Sequence, residues 1–324
     1  MLFLIVTEIG KKMSKRHRID VGRDTCVTRV FGFTTFMLVL TFFLTLFVVA
    51  GGCGGCGKKS KEKAKTEGAE QATLKIKGSD TMLPMITALA EAYTKLHPDT
   101  QISVAGGGST VGISALIDGA VDLCMSSRAV NAGETQRADY RRIALQDVIV
   151  ALDGVAVIVH SQNPANELTM SQLRQIFNGG IKNWREVGGP NQAIRLVSRD
   201  SDSGTSAFFQ ERVLQKDDYG PGVQLVTSSG AVVQSVSREF WSIGYVGLAY
   251  VQGAGVKVIG VKKNSGSVAV LPLYATVLDG SYLLERPLHI YASNKVSSLA
   301  LSFLEFVFSP EGQRITKEKG YVST

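Results

Sequence analysis

RDSDSGTSAFFQERVL, residues 199–214, is the stretch on which the reading of this chain turns. Residues 194–197 ahead of it form a short β-type run, and apolar side chains recur at helical spacing after Gly204, so residues 199–205 connect a strand to a helix. Ser203, Gly204 and Thr205 fall where that helix begins. Backbone N–H groups there have no intrahelical partner, the positive end of the helix dipole faces outward, and two hydroxyls add donors. Arg199 adds a planar fork of N–H groups matched to a tetrahedral oxyanion. The bland alternative is an ordinary capped helix beside an Arg–Asp surface pair. Asp200 and Asp202 are expected either to hold the Arg199 guanidinium in register or to be purely structural.

The same construction recurs upstream. Residues 73–77 alternate as a strand, Gly78-Ser79-Asp80-Thr81 follows, and residues 82–96 read as a helix with Pro84 in its first turn, where a missing N–H does no harm. Residues 101–105 are again strand-like, Gly106-Gly107-Gly108-Ser109-Thr110 is the loop, and residues 111–118 are helical. This glycine-rich loop lacks the lysine of a P-loop and the spacing of a dinucleotide site, and on its own is a flexible turn. Residues 121–125 are a buried-strand candidate ending in Ser126-Ser127-Arg128, at the carboxyl end of a strand, where open α/β sheets bind ligands. Arg128 is expected to contact an anion there, the alternative being that it is solvated or pairs with Glu134.

Residues 146–152 and 155–160 are two apolar runs separated by Asp153-Gly154, which is taken as the crossing into a second lobe. After Tyr250 the chain is expected to return. The resulting division puts lobe I at residues 72–153 plus 252–324 and lobe II at 154–251. Trp184 and Trp241 are expected in the core, and residues 298–308 form an amphipathic helix ended by Ser309-Pro310-Glu311-Gly312.

Residues 1–52 read as an export signal: seven basic residues precede an uncharged apolar run at 30–50, long enough also to serve as an uncleaved anchor. The run ends in Val49-Ala50-Gly51-Gly52-Cys53, which resembles a lipobox, with Ala50 where that motif usually has Leu; Cys53 is the expected lipid-bearing residue. Cys53-Gly54-Gly55-Cys56 has redox-pair spacing, but no strand leads into it, and residues 53–71 read as a charged tether. Whole-chain charge is 35 basic against 28 acidic; residues 1–52 hold 7 and 3 of these, which leaves 28 and 25, or +3. No basic stripe with interleaved aromatics points to nucleic acid.

Catalysis has little support. The four histidines, His17, His97, His160 and His289, lie outside the hydroxyl-rich loops, and no metal-ligand spacing or G-x-S-x-G elbow accompanies Ser109 or Ser203. No enzyme, cofactor or metal is expected, and a monomer is the default.

Taken in order, Gly78-Ser79-Asp80-Thr81, Gly107-Gly108-Ser109, Ser126-Ser127-Arg128, residues 199–205, Ile243-Gly244-Tyr245 and Ser309-Pro310-Glu311-Gly312-Gln313 resemble the phosphate-binding lipoproteins of bacterial phosphate ABC importers. The resemblance covers residues 72–324 and implies a periplasmic-binding-protein type II fold, two α/β lobes with phosphate clamped between them and passed to a membrane permease, the chain being held at the membrane by its lipid. It places phosphate contacts on Ser79, Thr81, Ser109, Ser127, Arg199, Ser203, Gly204 and Thr205. Many family members carry an aspartate at the position of Ser127, where the carboxylate accepts the proton of hydrogen phosphate; here Asp80 is expected to take that role. Sulfate and molybdate are the alternative ligands, and sensing or adhesion is an alternative use of the same binding.

Overall fold

The computed structural model describes residues 72–323; the leader, the tether, Cys53 and Cys56 lie outside the described residues. The chain begins by alternating strand and helix. β1 (Ala72–Gly78) is followed by α1 (Leu83–Leu96), β2 (Thr100–Ala105), α2 (Ser109–Ile117), β3 (Leu123–Ser126) and α3 (Ala132–Tyr140). β4 (Gln146–His160) then leads to β5 (Glu167–Thr169), α4 (Met170–Phe177), β6 (Arg195–Arg199), α5 (Gly204–Arg212), β7 (Gln224–Val226), α6 (Ser229–Arg238) and β8 (Ser242–Gly247). The remainder is β9 (Val256–Val258), β10 (Gly260–Lys262), α7 (Tyr274–Leu278), β11 (Glu285–Ala292), α8 (Ser298–Phe308), α9 (Pro310–Glu318) and β12 (Val322–Ser323).

Each parallel strand pair requires a crossover, and the helices supply it. β1 pairs in parallel with β2 and β3, and β6 in parallel with β7 and β8. Joining these two parallel groups are β11, antiparallel to β3 and β4, and β4 itself, antiparallel to β8, in the order β2-β1-β3-β11-β4-β8-β6-β7. The apolar core divides accordingly. Leu74, Ile76, Met85, Leu89, Val150 and Phe303 pack in one cluster, and Val157, Ile176, Phe177, Trp184, Phe209 and Tyr245 in the other.

The break expected at Asp153-Gly154 is not a break, because β4 runs through it as one strand of 15 residues. The first half faces the first core and the second half the other, so one strand serves both lobes. Two features keep it continuous. Arg286 lies opposite Asp153 in the β11–β4 register and pairs with its carboxylate, and Gly154 leaves room for α7, since a Cβ there would sit 2.8 Å from Val277 Cγ2 and 3.1 Å from Pro272 Cβ.

The return expected at residue 252 comes later. β9 pairs with the second half of β4, β10 pairs with β5, and Val261, Val277, Tyr282 and Leu284 are buried in the second core. The chain crosses back at β11. A second correction concerns Ser309: α8 does stop at Phe308, but Ser309 is the N-cap of α9, its hydroxyl accepting from Gly312 N at 3.1 Å.

Candidate functional site

The loops at the carboxyl ends of β1, β2, β3 and β6 meet between the lobes. Each is placed there by its strand and leads towards the helix that follows it. At the end of β6, Ser203 accepts from Ser206 N at 3.2 Å and so caps α5, which keeps its own O–H proton free to point outward. The Gly204 and Thr205 amides precede the first intrahelical bond of α5, and Ser109 stands in the same position on α2.

Ser79, Thr81, Ser109, Ser127, Arg199, Ser203 and Thr205 are all at least 97% buried, and Asp80 is 9% exposed. The two lobes touch directly through these residues. Thr81 Oγ1 and Thr205 Oγ1 are 2.8 Å apart, and Arg199 Nη2 of the second lobe donates to Asp80 Oδ2 of the first at 2.7 Å. Thr110 N donates to Asp202 O at 3.2 Å. Ser109 Oγ accepts from Ser127 N at 3.1 Å, and Gly204 lies so close to both serines that it has no room for a side chain.

Arg199 uses four of its five N–H groups: besides Asp80, its Nη2 donates to Thr227 O at 2.9 Å, Nη1 to Ser229 Oγ at 3.2 Å and Nε to Val226 O at 3.2 Å. The expectation that Asp200 and Asp202 hold this guanidinium is therefore corrected, since its carboxylate partner is Asp80, 119 positions away. Asp200 Oδ1 is buried with no hydrogen-bond partner, and burial, with Asp202 and Asp80 nearby adding to it, pushes that carboxyl above the usual range despite Arg199. Asp80 Oδ1 accepts from Gly107 N at 3.2 Å, and Tyr250 Oη donates to the Asp80 carbonyl at 2.6 Å. Burial raises the Tyr250 phenol to about 12, with the Asp80 charge acting the same way, so it stays a donor.

Arg128 does not join this cluster. Its two terminal nitrogens donate to Glu134 Oε2 and Oε1 at 2.8 and 2.7 Å, and Nη2 also to Thr110 Oγ1 at 2.9 Å. Glu134 is the third residue of α3 and closes a capping box with Asn131, so the pair fastens a helix start. The expected anion contact gives way to the alternative pairing.

Two charged residues that the sequence reading left out lie directly beneath the cluster. Arg286 Nε and Nη2 donate to Asp153 Oδ2 at 3.1 and 2.8 Å, and Arg286 also reaches Ser127 O, Thr81 Oγ1 and Thr205 Oγ1. Burial works against both charges, raising the Asp153 carboxyl and lowering the Arg286 guanidinium, and their contact counters it on each side. A signal was present: each is a charge at the edge of an apolar strand run, a position that demands a partner. Both cations of the cluster are thus paired with carboxylates, and what remains for a ligand is one Arg199 Nη1 proton, hydroxyls, amides and helix N-termini. Among the described residues no group of His, Cys, Asp or Glu is arranged to hold a metal ion.

Two α/β lobes that share a strand and close oxyanion donors between them are the architecture of a two-lobe solute-binding protein. The chain belongs to the PBP superfamily, whose domain model matches residues 63–311. The phosphate-binding protein PstS of Staphylococcus epidermidis is 33% identical over 301 residues, covering 89% of this chain and 88% of that protein. PstS of Pseudomonas aeruginosa is 33% identical over 306 residues, covering 88% and 93%. A Clostridium perfringens protein solved with bound phosphate superposes with a TM-score of 0.71 at 31% identity, over 78% of this chain and 99% of that one. An ABC-type phosphate transport receptor from Vibrio cholerae gives 0.64 at 30% identity, over 78% and 100%.

Proposed function

We propose that this chain captures inorganic phosphate between its lobes, outside the cytoplasm, and delivers it to an ABC importer in the membrane. The observation that carries this reading is the convergence of hydroxyls from both lobes at the start of α5, with Thr81 Oγ1 2.8 Å from Thr205 Oγ1, in a chain about one-third identical to named phosphate-binding proteins. Ser79, Thr81, Ser109, Ser127, Ser203, Gly204 and Thr205 supply donors, Arg199 orients the cleft, and Cys53 carries the lipid that tethers a monomer to the membrane. Helix N-termini contribute roughly 0.3–1 kcal/mol each and charge-assisted hydrogen bonds roughly 1.5–3 kcal/mol each, which before dehydration exceeds the ~8 kcal/mol of micromolar binding. No bond is made or broken in this role.

Asp80 is the residue that separates phosphate from sulfate. Its two carboxylate oxygens each accept one hydrogen bond, from Gly107 N and Arg199 Nη2, and each retains a lone pair. Hydrogen phosphate can donate its P–OH proton there, whereas fully ionised sulfate meets lone pair with lone pair. Calorimetric titration of the purified full chain with phosphate and with sulfate tests both points. Saturable 1:1 uptake of phosphate is the expected result, and silence towards every oxyanion would overturn the function. Asp80→Asn is expected to cut the preference for phosphate over sulfate by about 10–100-fold, the worth of one hydrogen bond to a charged group; an undiminished preference removes Asp80 from the role.

Arg128 provides the opposite expectation. Replacing both members of its pair, Arg128→Met with Glu134→Gln, should lower the melting temperature through the lost cap and leave phosphate affinity within about threefold. A larger loss of affinity would return Arg128 to the ligand set.

A further inference from the structure

We propose that Arg286 is a positioning residue for anion capture, acting through the hydroxyls of Thr81 and Thr205 and fixing that pair as a hydrogen-bond donor when the lobes meet. The inference rests on the reading that the cleft takes phosphate. Arg286 is the second residue of β11, where the chain crosses back between lobes; Thr81 follows β1 in the first lobe and Thr205 lies in the first turn of α5 in the second. Its Nη2 is 3.3 Å from Thr81 Oγ1, 3.1 Å from Thr205 Oγ1 and 2.8 Å from Asp153 Oδ2.

The proton count decides what this does. Nη2 carries two protons and accepts nothing. One goes to Asp153 at the short distance, and the other is shared between the two threonine oxygens at the longer ones. Thr81 and Thr205, 2.8 Å apart, use one hydroxyl proton between themselves. Neither can turn its remaining proton towards the guanidinium, so the last one is left to point away from Arg286. The threonine that accepts from the other then has both lone pairs used and its own proton free, so it faces the cleft as a donor, which suits an anion.

Asp153 holds the guanidinium in this register and cancels its charge, and the Phe208 ring, 5.4 Å from Arg286 Cζ, closes one side. Arg286 Nη1 donates to Ser127 O at 3.2 Å, so the same group also holds the third loop of the site. Parting the lobes takes Thr205 away from Thr81, and the arrangement dissolves with them. A lysine cannot reproduce it, since an ammonium lacks the planar fork that reaches Asp153, Ser127 and both hydroxyls together.

The test is a mutant cycle on the full chain, titrated with inorganic phosphate: Arg286→Lys, Thr81→Val with Thr205→Val, and all three together. Arg286→Lys is expected to weaken binding about 10–100-fold, and adding it to the two valines should cost less than about threefold more. Losses that simply multiply, or unchanged affinity in Arg286→Lys at a lowered melting temperature, would overturn the proposal. If Arg286→Lys does not fold, Arg286→Gln with Asp153→Asn takes its place in the cycle, with the same coupling to the two valines expected, and losses that simply multiply overturn the proposal. Melting temperatures of the same four chains without phosphate keep the two readings apart. A parent that ignores phosphate defeats the function, whereas absence of coupling between Arg286→Lys and the valines in the melting temperatures defeats the Arg286 link itself.

Discussion

Gly204→Ala is expected to leave the chain folded and to weaken phosphate binding by about 100-fold or more. Alanine is the best helix former, so at the first position of α5 the substitution favours the helix itself. The penalty lies entirely across the cleft. A Cβ on residue 204 would sit 2.2 Å from Ser109 Oγ, 2.9 Å from Ser109 Cβ and 2.7 Å from Ser127 Oγ, against an ordinary contact of about 3.5–4.0 Å. Rotating the Ser109 hydroxyl does not relieve the clash, because the Cβ beneath it is also too close. The lobes must part by about an ångström, and the Thr81–Thr205 contact and the Thr110–Asp202 bond part with them. Gly230→Ala is the matched control: a Cβ there, on α6, meets nothing within 4 Å, and affinity should not change. Calorimetry together with melting curves reads both variants. Gly204→Ala binding as tightly as the parent would show that the lobes do not need this approach.

Why the strand-to-helix loops of the cleft were legible, and the charged pair beneath them was not, follows from range. The strand, loop and helix start around residues 199–205 are local: the β run, the Ser203 cap and the apolar spacing after Gly204 all lie within one short segment. The same holds for Ser79 to Thr81 and for Ser109. Arg128 was ambiguous for the same reason, since its partner Glu134 is only six residues away and competes with any ligand. Arg286 and Asp153 are 133 positions apart and become neighbours only when β11 takes its register on β4. The continuity of β4 was hidden by the same pair, because an Asp-Gly step reads as a turn until the cation that neutralises it is known. For Arg199, closeness in sequence was misleading. The adjacent acids Asp200 and Asp202 lie on its own turn, while its fork is held by the Val226 and Thr227 carbonyls and directed across the cleft to Asp80.

Arg199→Met is expected to be the costliest single substitution in the cleft. The methionine fills much of the same length, so packing is largely kept, and what goes are four hydrogen bonds and the charge facing Asp80. Side-chain exposure is 2% for Arg199 and 11% for Asp80, so water replaces little of this. Removing one partner of a buried pair costs about 3–5 kcal/mol, mainly because the remaining charge is stranded. Since Arg199 and Asp80 belong to different lobes, much of that cost is avoided by opening, which lets Asp80 reach solvent. The loss should therefore appear chiefly in phosphate affinity, by about two to three and a half decades in Kd, with a smaller fall in melting temperature from the Val226, Thr227 and Ser229 contacts within the second lobe. Adding Asp80→Asn removes the stranded carboxylate, so the double variant should bind phosphate less weakly than the product of the two single losses, and should close more readily. If instead the two losses multiply, Asp80 and Arg199 act independently on the anion, and the pair between them is not what couples closure to binding.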